Sequence, residues 1–235
     1  MPDQESSAPD GDPATTTPDE IHRLSGVRRV VARRMTETWQ TVPAVTLHRT
    51  VRFEALLALR AASQAQEGGR IPVDALLAWV VARSLREHRI LNSSWLEDQQ
   101  AVAIHRAVNI AIAVDTPHGL TAVVLREADT RTPADLGRTL TEMVARARDR
   151  RSLRADVAGA TFTITNLGAL GVDQFTPIIT PPQAAVLGIG RIAGSGADER
   201  VAHVSLTFDH RIADGADAAR FLITVADRIV DLRLD

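Results

Sequence analysis

Helical and strand patterns alternate along this chain, and their order limits the folds that it can adopt. Apolar residues recur at helical spacing after several turn-forming or capping residues. Helices are therefore predicted to begin near Ser25, Glu54, Pro72, Pro133 and Gly215. Between them lie runs rich in Val, Ile and Thr, which are typical of strands. Strands are predicted at 44–53, 101–104, 108–114, 120–126, 160–166, 184–192 and 200–208.

Two of the predicted strands are joined by a tight turn. Strands 108–114 and 120–126 are separated by Asp115-Thr-Pro-His-Gly, a cluster of turn-forming residues that indicates an antiparallel hairpin. Most other strands are separated by helices, and no Gly-x-Gly-x-x-Gly follows a strand. The sequence therefore predicts an α/β two-layer sandwich with a mixed sheet, rather than a doubly wound nucleotide-binding fold.

The first 20 residues have a composition of their own. They contain no Leu, Ile, Val or aromatic residue, and they include four prolines and six acidic side chains. Such a segment cannot offset the entropy lost on ordering by burying apolar surface. We expect a disordered acidic tail over residues 1–20 and one folded domain over residues 21–235. Because the whole chain has a net charge of −2 and the tail −6, the domain carries +4.

The positive charge of the predicted domain is mild and scattered, and only 3% of the residues are aromatic. Nucleic-acid binding usually needs a basic patch with aromatic stacking platforms, so a ligand with a few phosphates fits better. Apolar runs such as 76–82 are far shorter than the roughly 18 residues that span a bilayer. The N-terminus also lacks the features of a signal peptide. We therefore expect a cytoplasmic protein that binds neither membranes nor nucleic acid.

Cysteine and lysine are both missing from the sequence. The absence of cysteine excludes disulfides, thiolate zinc ligands and a cysteine nucleophile. The absence of lysine excludes a Schiff base with pyridoxal phosphate, a phosphate-loop lysine and the attachment of lipoyl or biotin to this chain. No metal site is predicted, and any swinging cofactor must be carried by another chain.

His210 is the most promising general base among the seven histidines. It stands at the end of an apolar strand, directly before the last helix, and Asp214 follows four residues later. A strand end is a place where a side chain can be aimed into a cleft, and Gly215 allows a sharp turn beside it. Alternatively, Asp214 caps the last helix and His210 is a surface residue. The spacing alone leaves both interpretations open.

The string His210-Arg-Ile-Ala-Asp-Gly fits the His-x-x-x-Asp-Gly motif of the chloramphenicol acetyltransferase-like superfamily. Its flanks resemble one branch, the dihydrolipoamide acyltransferase core of 2-oxo acid dehydrogenase complexes. Further segments resemble the same family in the same order along the chain. They are Leu24–Trp39, Val108–Leu120, Thr161–Gly168 and Phe175–Gly190. The resemblance extends over about residues 22–235 and implies a chloramphenicol acetyltransferase-like fold.

The resemblance implies acyl transfer between coenzyme A and a dihydrolipoyl group, without a covalent acyl-enzyme. His210 would take the thiol proton, with its other ring nitrogen held by a backbone carbonyl, and Asp214 would support the site structurally. Thr165, where serine is commoner, would donate its hydroxyl to the oxyanion. Thr163 lies on the same strand face and is the residue most easily mistaken for it. Asp115 falls where the family lines the coenzyme side of its channel.

The resemblance also implies partners, because in this superfamily the channel runs between neighbouring subunits. We expect a trimer or a trimer-based shell and an inactive monomer. Typical members carry lipoyl and peripheral-subunit-binding domains ahead of the core, whereas this chain is predicted to have neither. The lipoyl group would then be supplied in trans, by a separate lipoyl-carrying protein that works beside a 2-oxo acid decarboxylase.

This sequence departs from the family at two places, because Ala44 replaces the histidine usual after Pro43 and the segment 119–125 lacks a common proline. These departures put the acyl donor in doubt rather than the fold. Two alternatives therefore stay open. One is an acyltransferase that moves the acyl group from coenzyme A to a different small-molecule or carrier acceptor. The other is a catalytically idle scaffold within an oligomeric core.

Overall fold

The structure, a computed structural model, describes residues 20–63, 70–194 and 199–232. The helices are α1 Gly26–Thr41, α2 Glu54–Ser63, α3 Val73–Glu87, α4 Pro133–Arg148, α5 Arg154–Val157 and α6 Gly215–Val230. The strands are β1 Ala44–Arg52, β2 Ser93–Leu96, β3 Ala101–Ile104, β4 Ile110–Thr116, β5 Gly119–Leu125, β6 Phe162–Asn166, β7 Ala185–Ile189, β8 Ala193–Gly194 and β9 Arg200–Asp209.

One large mixed sheet organises the chain. Its strand order is β1-β9-β7-β6-β4-β5, and β8 pairs with the beginning of β9. The three central strands β4, β6 and β7 are parallel, whereas β1, β5 and β9 run antiparallel to their neighbours. Strands β2 and β3 form a separate two-stranded hairpin. The predicted mixed sheet and the predicted hairpin between β4 and β5 are both confirmed.

The two faces of the large sheet differ in composition. On the core face, the fully buried Ile164, Leu187 and Leu206 lie side by side and join one hydrophobic core with α3, α4 and α6. Because side chains alternate across a strand, the next row lies on the opposite face. That row consists of Thr165, Gly188 and Ser205, and we call its side the polar face.

The segment 171–183 packs against the middle of the polar face. A Cβ atom added at Gly188 would lie 2.9 Å from Cζ of Phe175 and 3.3 Å from Cγ of Pro177. Thr163, two residues before Thr165 on the same face of the strand, donates its hydroxyl to Oε1 of Gln183 at 2.6 Å. Only a glycine at position 188 leaves room for this close approach.

The predicted helices and strands are confirmed, with boundaries that differ by a few residues. The helix expected from Pro72 begins at Val73, with Pro72 as its N-cap. The short elements β2, β8 and α5 were not predicted. The predicted acidic tail lies outside the described residues apart from Glu20. Among the helices that the structure describes, none is long and apolar enough to cross a membrane.

Candidate active site

His210 directly follows β9, at the end of the sheet where that strand stops. Its backbone N–H donates to the carbonyl of Pro43 at 3.0 Å, so the pairing with the chain before β1 extends to His210 itself. The imidazole is exposed and lies against the buried ring of Phe208, with 5.6 Å between the ring centroids. His210 is thus held at its backbone while its polar edge faces outward.

The ring nitrogens of His210 differ from those of the other histidines. All seven histidines lie in the described ranges, and six have a ring nitrogen within hydrogen-bond distance of another side chain. These six are His22, His48, His88, His105, His118 and His203. Among the described residues, the ring of His210 makes no such bond. The resemblance implies a bond from this ring to a backbone carbonyl, and the described residues do not show that bond either. Both ring nitrogens of His210 are therefore available to a substrate.

Asp214 acts as the N-cap of α6. Its carboxylate accepts the backbone N–H of Asp217 at 2.8 Å, and the Asp217 carboxylate accepts the N–H of Asp214 at 3.3 Å. The bond from the Asp217 N–H holds the pKa of Asp214 below its ordinary value, and the charges of Arg220 and His210 lower it further. No hydrogen bond joins His210 to Asp214 within the described residues. The capping interpretation of Asp214 is therefore the one that the geometry shows.

Thr165 lies on the polar face in β6, partly buried. The hydroxyls of the two threonines on this strand differ. The hydroxyl of Thr163 donates to Gln183, whereas the hydroxyl of Thr165 has no hydrogen-bond partner among the described residues. A hydroxyl that is already engaged is a poor donor for a transient oxyanion. The contact with Gln183 separates the two threonines, which the sequence pattern could not do.

The strand end beside Thr165 is fixed by a contact that sequence reasoning missed. Asn166 donates its side-chain N–H to Oδ1 of Asp74 at 2.7 Å and accepts the backbone N–H of Gly168 at 3.0 Å. Burial raises the pKa of Asp74, although the bond from Asn166 and the charge of Arg60 oppose that change. An aspartate in the first turn of a helix is common, so its sequence position gives no sign of this buried role.

Asp115 lies near the end of β4, exposed and on the same face as Thr165. From the register of β4 with β6, its Cα atom is roughly 8 Å from that of Thr165. The structure therefore brings Asp115 and Thr165 to one end of the sheet. The described residues contain no cluster of three or more His, Asp or Glu side chains that could hold a metal ion.

His210 lies at the other end of the sheet. Thr165 pairs with Gly188, which pairs with Ser205, and His210 is five residues beyond Ser205 on β9. At about 4.8 Å between strands and roughly 3.3 Å per residue, the Cα atoms of Thr165 and His210 are roughly 19 Å apart. A general base must be about 3 Å from the proton that it takes. One chain therefore cannot bring His210 and Thr165 to the same reacting atoms.

Comparison with known protein families gives a clear match. Residues 16–234 match the family model of the 2-oxoacid dehydrogenases acyltransferase (catalytic domain). A curated relative, the dihydrolipoyllysine-residue acetyltransferase component of the pyruvate dehydrogenase complex of Mycobacterium bovis, is 34% identical over 223 residues. That match covers 88% of this chain and 40% of the relative, so the chain spans well under half of the relative's length.

Two solved structures match over nearly their whole length, each at 31% identity and each covering 94% of this chain and 98% of the other. One is dihydrolipoamide acetyltransferase from Azotobacter vinelandii, with a TM-score of 0.85. Its catalytic mechanism was investigated at a serine, at a histidine and at an asparagine four positions after that histidine. The other, with a TM-score of 0.84, is the cubic core of the pyruvate dehydrogenase multienzyme complex.

A more distant match concerns the fold alone. Chloramphenicol acetyltransferase is 11% identical with a TM-score of 0.54, and the match covers 84% of this chain and 94% of that chain. Together with the observed sheet, this confirms the predicted two-layer fold of the chloramphenicol acetyltransferase type.

Proposed function

The chain belongs to the 2-oxoacid dehydrogenase acyltransferases, and from that premise we propose that it moves an acyl group between coenzyme A and a dihydrolipoyl group carried on another chain. The observation that carries the proposal is His210, whose ring nitrogens are unbonded among the described residues and whose backbone is fixed at a strand end. A histidine so placed suits an enzyme that must take a proton from a mobile thiol.

His210 acts as the general base of a direct transfer. A thiol with a pKa of about 8.5 is mostly protonated at neutral pH, so a neutral imidazole must accept its proton as the sulfur attacks. The sulfur forms a bond to the thioester carbonyl carbon and gives a tetrahedral oxyanion. When the oxyanion collapses, the bond to the departing sulfur breaks, and His210 returns its proton to that sulfur. The same steps run in reverse, so either thiol can be the acceptor.

Thr165 stabilises the oxyanion of the tetrahedral intermediate. Its hydroxyl, unbonded within the described residues, can donate to the charge that develops on the carbonyl oxygen. The serine studied in the Azotobacter vinelandii enzyme supports a hydroxyl role at this position, and threonine retains the hydroxyl. Asp115, about 8 Å away at the same sheet end, lies on the side that coenzyme A occupies.

Asp214 supports the site by fixing where α6 begins, four residues after His210. The Azotobacter vinelandii enzyme was examined at an asparagine with this same spacing from its histidine. Aspartate and asparagine are both strong N-caps, so either residue holds the helix start in place. We therefore assign Asp214 a structural role and not a proton-transfer role.

The site is completed by a second copy of the chain. Because His210 and Thr165 lie roughly 19 Å apart in one chain, His210 of one copy meets Thr165 and Asp115 of the next. Head-to-tail contacts of this kind close into a ring, here a trimer. The exposed Val30, Val31 and Trp39 of α1, 41%, 46% and 76% exposed, offer apolar surface for such a contact. The similarity to a cubic pyruvate dehydrogenase core supports trimers within a larger shell.

The lipoyl group and the acyl group come from partners. The sequence has no lysine, so it offers no attachment point for lipoyl, and a separate lipoyl-carrying protein delivers that group. A 2-oxo acid decarboxylase supplies the acyl group to that carrier. The cytoplasmic location stays a prediction of the sequence.

The test is a steady-state assay of the purified oligomer with acetyl-, isobutyryl- and succinyl-coenzyme A. Each donor is offered to free dihydrolipoamide and to a separately expressed lipoyl domain, beside the His210→Ala variant. We expect transfer from at least one donor and its loss in the variant. Transfer from coenzyme A only to other thiols or amines would favour the different-acceptor alternative. No turnover by an assembled oligomer with any acceptor would favour the scaffold.

A further inference from the structure

The residues on either side of His210 form an ion pair whose carboxylate is buried. The carboxylate of Asp209 is only 4% exposed and accepts from three N–H groups of Arg211. Its Oδ1 accepts the backbone N–H and Nε of Arg211, both at 3.0 Å, and its Oδ2 accepts Nη2 at 2.7 Å. The backbone carbonyl of Asp209 also accepts the N–H groups of Ile212 and Ala213, at 3.0 and 3.2 Å. His210 is thus enclosed in a turn that its own neighbours fix.

The β2–β3 hairpin holds this ion pair from outside. Nη1 of Arg211 donates to Oε2 of Glu97 at 3.3 Å, and the guanidinium carbon lies 5.1 Å from the ring centroid of Trp95. The indole N–H of Trp95 donates to the same Glu97 oxygen at 2.6 Å. An arginine is always charged in a protein at neutral pH, and hydrogen bonds to Asp209 raise the pKa of Arg211 further. Arg211 therefore links a separate hairpin to the turn that carries His210.

The imidazole of His210 has few other supports. In the described chain its ring contacts Phe208, and its backbone N–H is bonded to Pro43. The direction of the imidazole is consequently set by the backbone of the turn, whose shape depends on the Asp209–Arg211 pair. A planar guanidinium suits this task because it binds both carboxylate oxygens in a fixed geometry.

We propose that Arg211 is a positioning residue for the acyl transfer, which holds the turn at His210 so that the imidazole points at the thiol. The inference rests on the proposed function of His210. Loss of the arginine leaves the substrate contacts in place but loosens the base. A displacement of about 1 Å at a reacting group can reduce the rate by about 10²-fold.

The experiment is a double-mutant cycle of Arg211→Ala and His210→Ala in the assembled oligomer. We expect Arg211→Ala to lower kcat by about 10- to 100-fold while KM for acyl-coenzyme A changes by less than about threefold. In the His210→Ala background, the same change should lower the residual kcat by less than about twofold, because Arg211 acts through the imidazole. Arg211→Lys, which keeps the charge but not the paired bonds, should fall between Arg211→Ala and the wild type.

Two further variants keep the experiment decisive. Arg138→Ala removes an exposed ion pair with Asp135 on α4 and should leave kcat unchanged. If Arg211→Ala does not assemble, Arg211→Lys takes its place in the cycle. Equal losses from the arginine change in both backgrounds, or no loss in either, would overturn the proposal. If His210→Ala alone leaves turnover intact, the failure belongs to the proposed function and not to the role of Arg211.

Discussion

The two ends of the large sheet hold their candidate groups in different ways. At the His210 end, a buried carboxylate and a guanidinium fix the turn through charged, paired hydrogen bonds. At the Thr165 end, the neutral amide of Asn166 joins the strand to the Asp74 carboxylate on α3. In the described residues, neither end gives the reactive atom itself a partner. We therefore propose that each end is one half of a site, because the two ends lie too far apart to work together within one chain.

In the proposed mechanism, one end of the sheet must accept a proton, whereas the other must only donate a hydrogen bond. A general base has to point accurately at a thiol that arrives on a mobile arm, so its backbone is braced from several sides. A hydroxyl donor needs less, because its O–H rotates about one bond to find the oxyanion. We therefore expect the His210 end to be the more sensitive to change.

The largest expected effect is from His210→Ala. Without the base, the thiol must lose its proton to water, and kcat should fall by about 10² to 10⁴. Gel filtration should show the same oligomer as the wild type, because His210 is exposed and its backbone bond to Pro43 does not need the side chain. Undiminished turnover in the variant would remove His210 from the mechanism.

Thr165→Val should have the next largest effect, a loss of about 10² to 10³ in kcat, because the oxyanion loses its hydroxyl donor. Thr165→Ser keeps the hydroxyl and should retain most of the activity. Thr163→Val is the matched control, because its hydroxyl is already bonded to Gln183. It should lower the free energy of unfolding and leave kcat within a few-fold. If Thr163→Val is the more damaging to kcat, the two threonines have been assigned the wrong way round.

Asp74→Asn should have the smallest effect of these changes, and we expect it on the free energy of unfolding. Because burial raises the pKa of Asp74 above 3.8, the folded chain holds this proton more tightly than the unfolded chain does. The wild type therefore loses stability as the pH rises from about 3.8 through the raised value. An asparagine cannot ionise and still accepts the N–H of Asn166, so the variant should unfold at higher urea concentration at neutral pH.

Asp135 is a matched control, because its pKa is shifted in the opposite direction and its stability contribution changes with pH in the opposite sense. Hydrogen bonding from Thr132 lowers the pKa of the exposed Asp135, so its contribution to stability is lost as the pH falls. Asp135→Asn should therefore lower the urea midpoint or leave it unchanged at neutral pH. A decrease of the midpoint for Asp74→Asn at neutral pH would show that the charged form of Asp74 is stabilising.

The fold was largely predictable from the sequence, because its long helices and strands have strong periodicity. Strand β2 was missed because Ser93–Leu96 is short and begins with two serines, and it forms through pairing with β3. The location of His210 between the last strand and the last helix was also predictable, whereas its role as a base stays a prediction. The role of Asp214 was not predictable, because the spacing fits both a cap and a partner, and the reciprocal bonds with Asp217 decide between them.

The residues that brace the site could not be found from the sequence. Asp74 and Asn166 are 92 positions apart, and Arg211 and Glu97 are 114 apart. No local pattern records such contacts, because the fold alone brings these residues together. The choice between Thr163 and Thr165 likewise depends on Gln183, which reaches the sheet from a neighbouring segment.

The most direct test of the two-half site mixes two disabled chains. His210→Ala and Thr165→Val proteins are co-expressed with different tags, and hybrid oligomers are isolated by both tags. If each site takes His210 from one copy and Thr165 from the next, one of the three sites in every hybrid trimer is intact, as are about a quarter of the sites in a large, randomly mixed shell. We therefore predict about a third of the wild-type activity for hybrid trimers, or about a quarter for a larger shell, far above that of either variant alone. Hybrids no more active than the two separate variants would contradict the account, because the site would then lie within one chain.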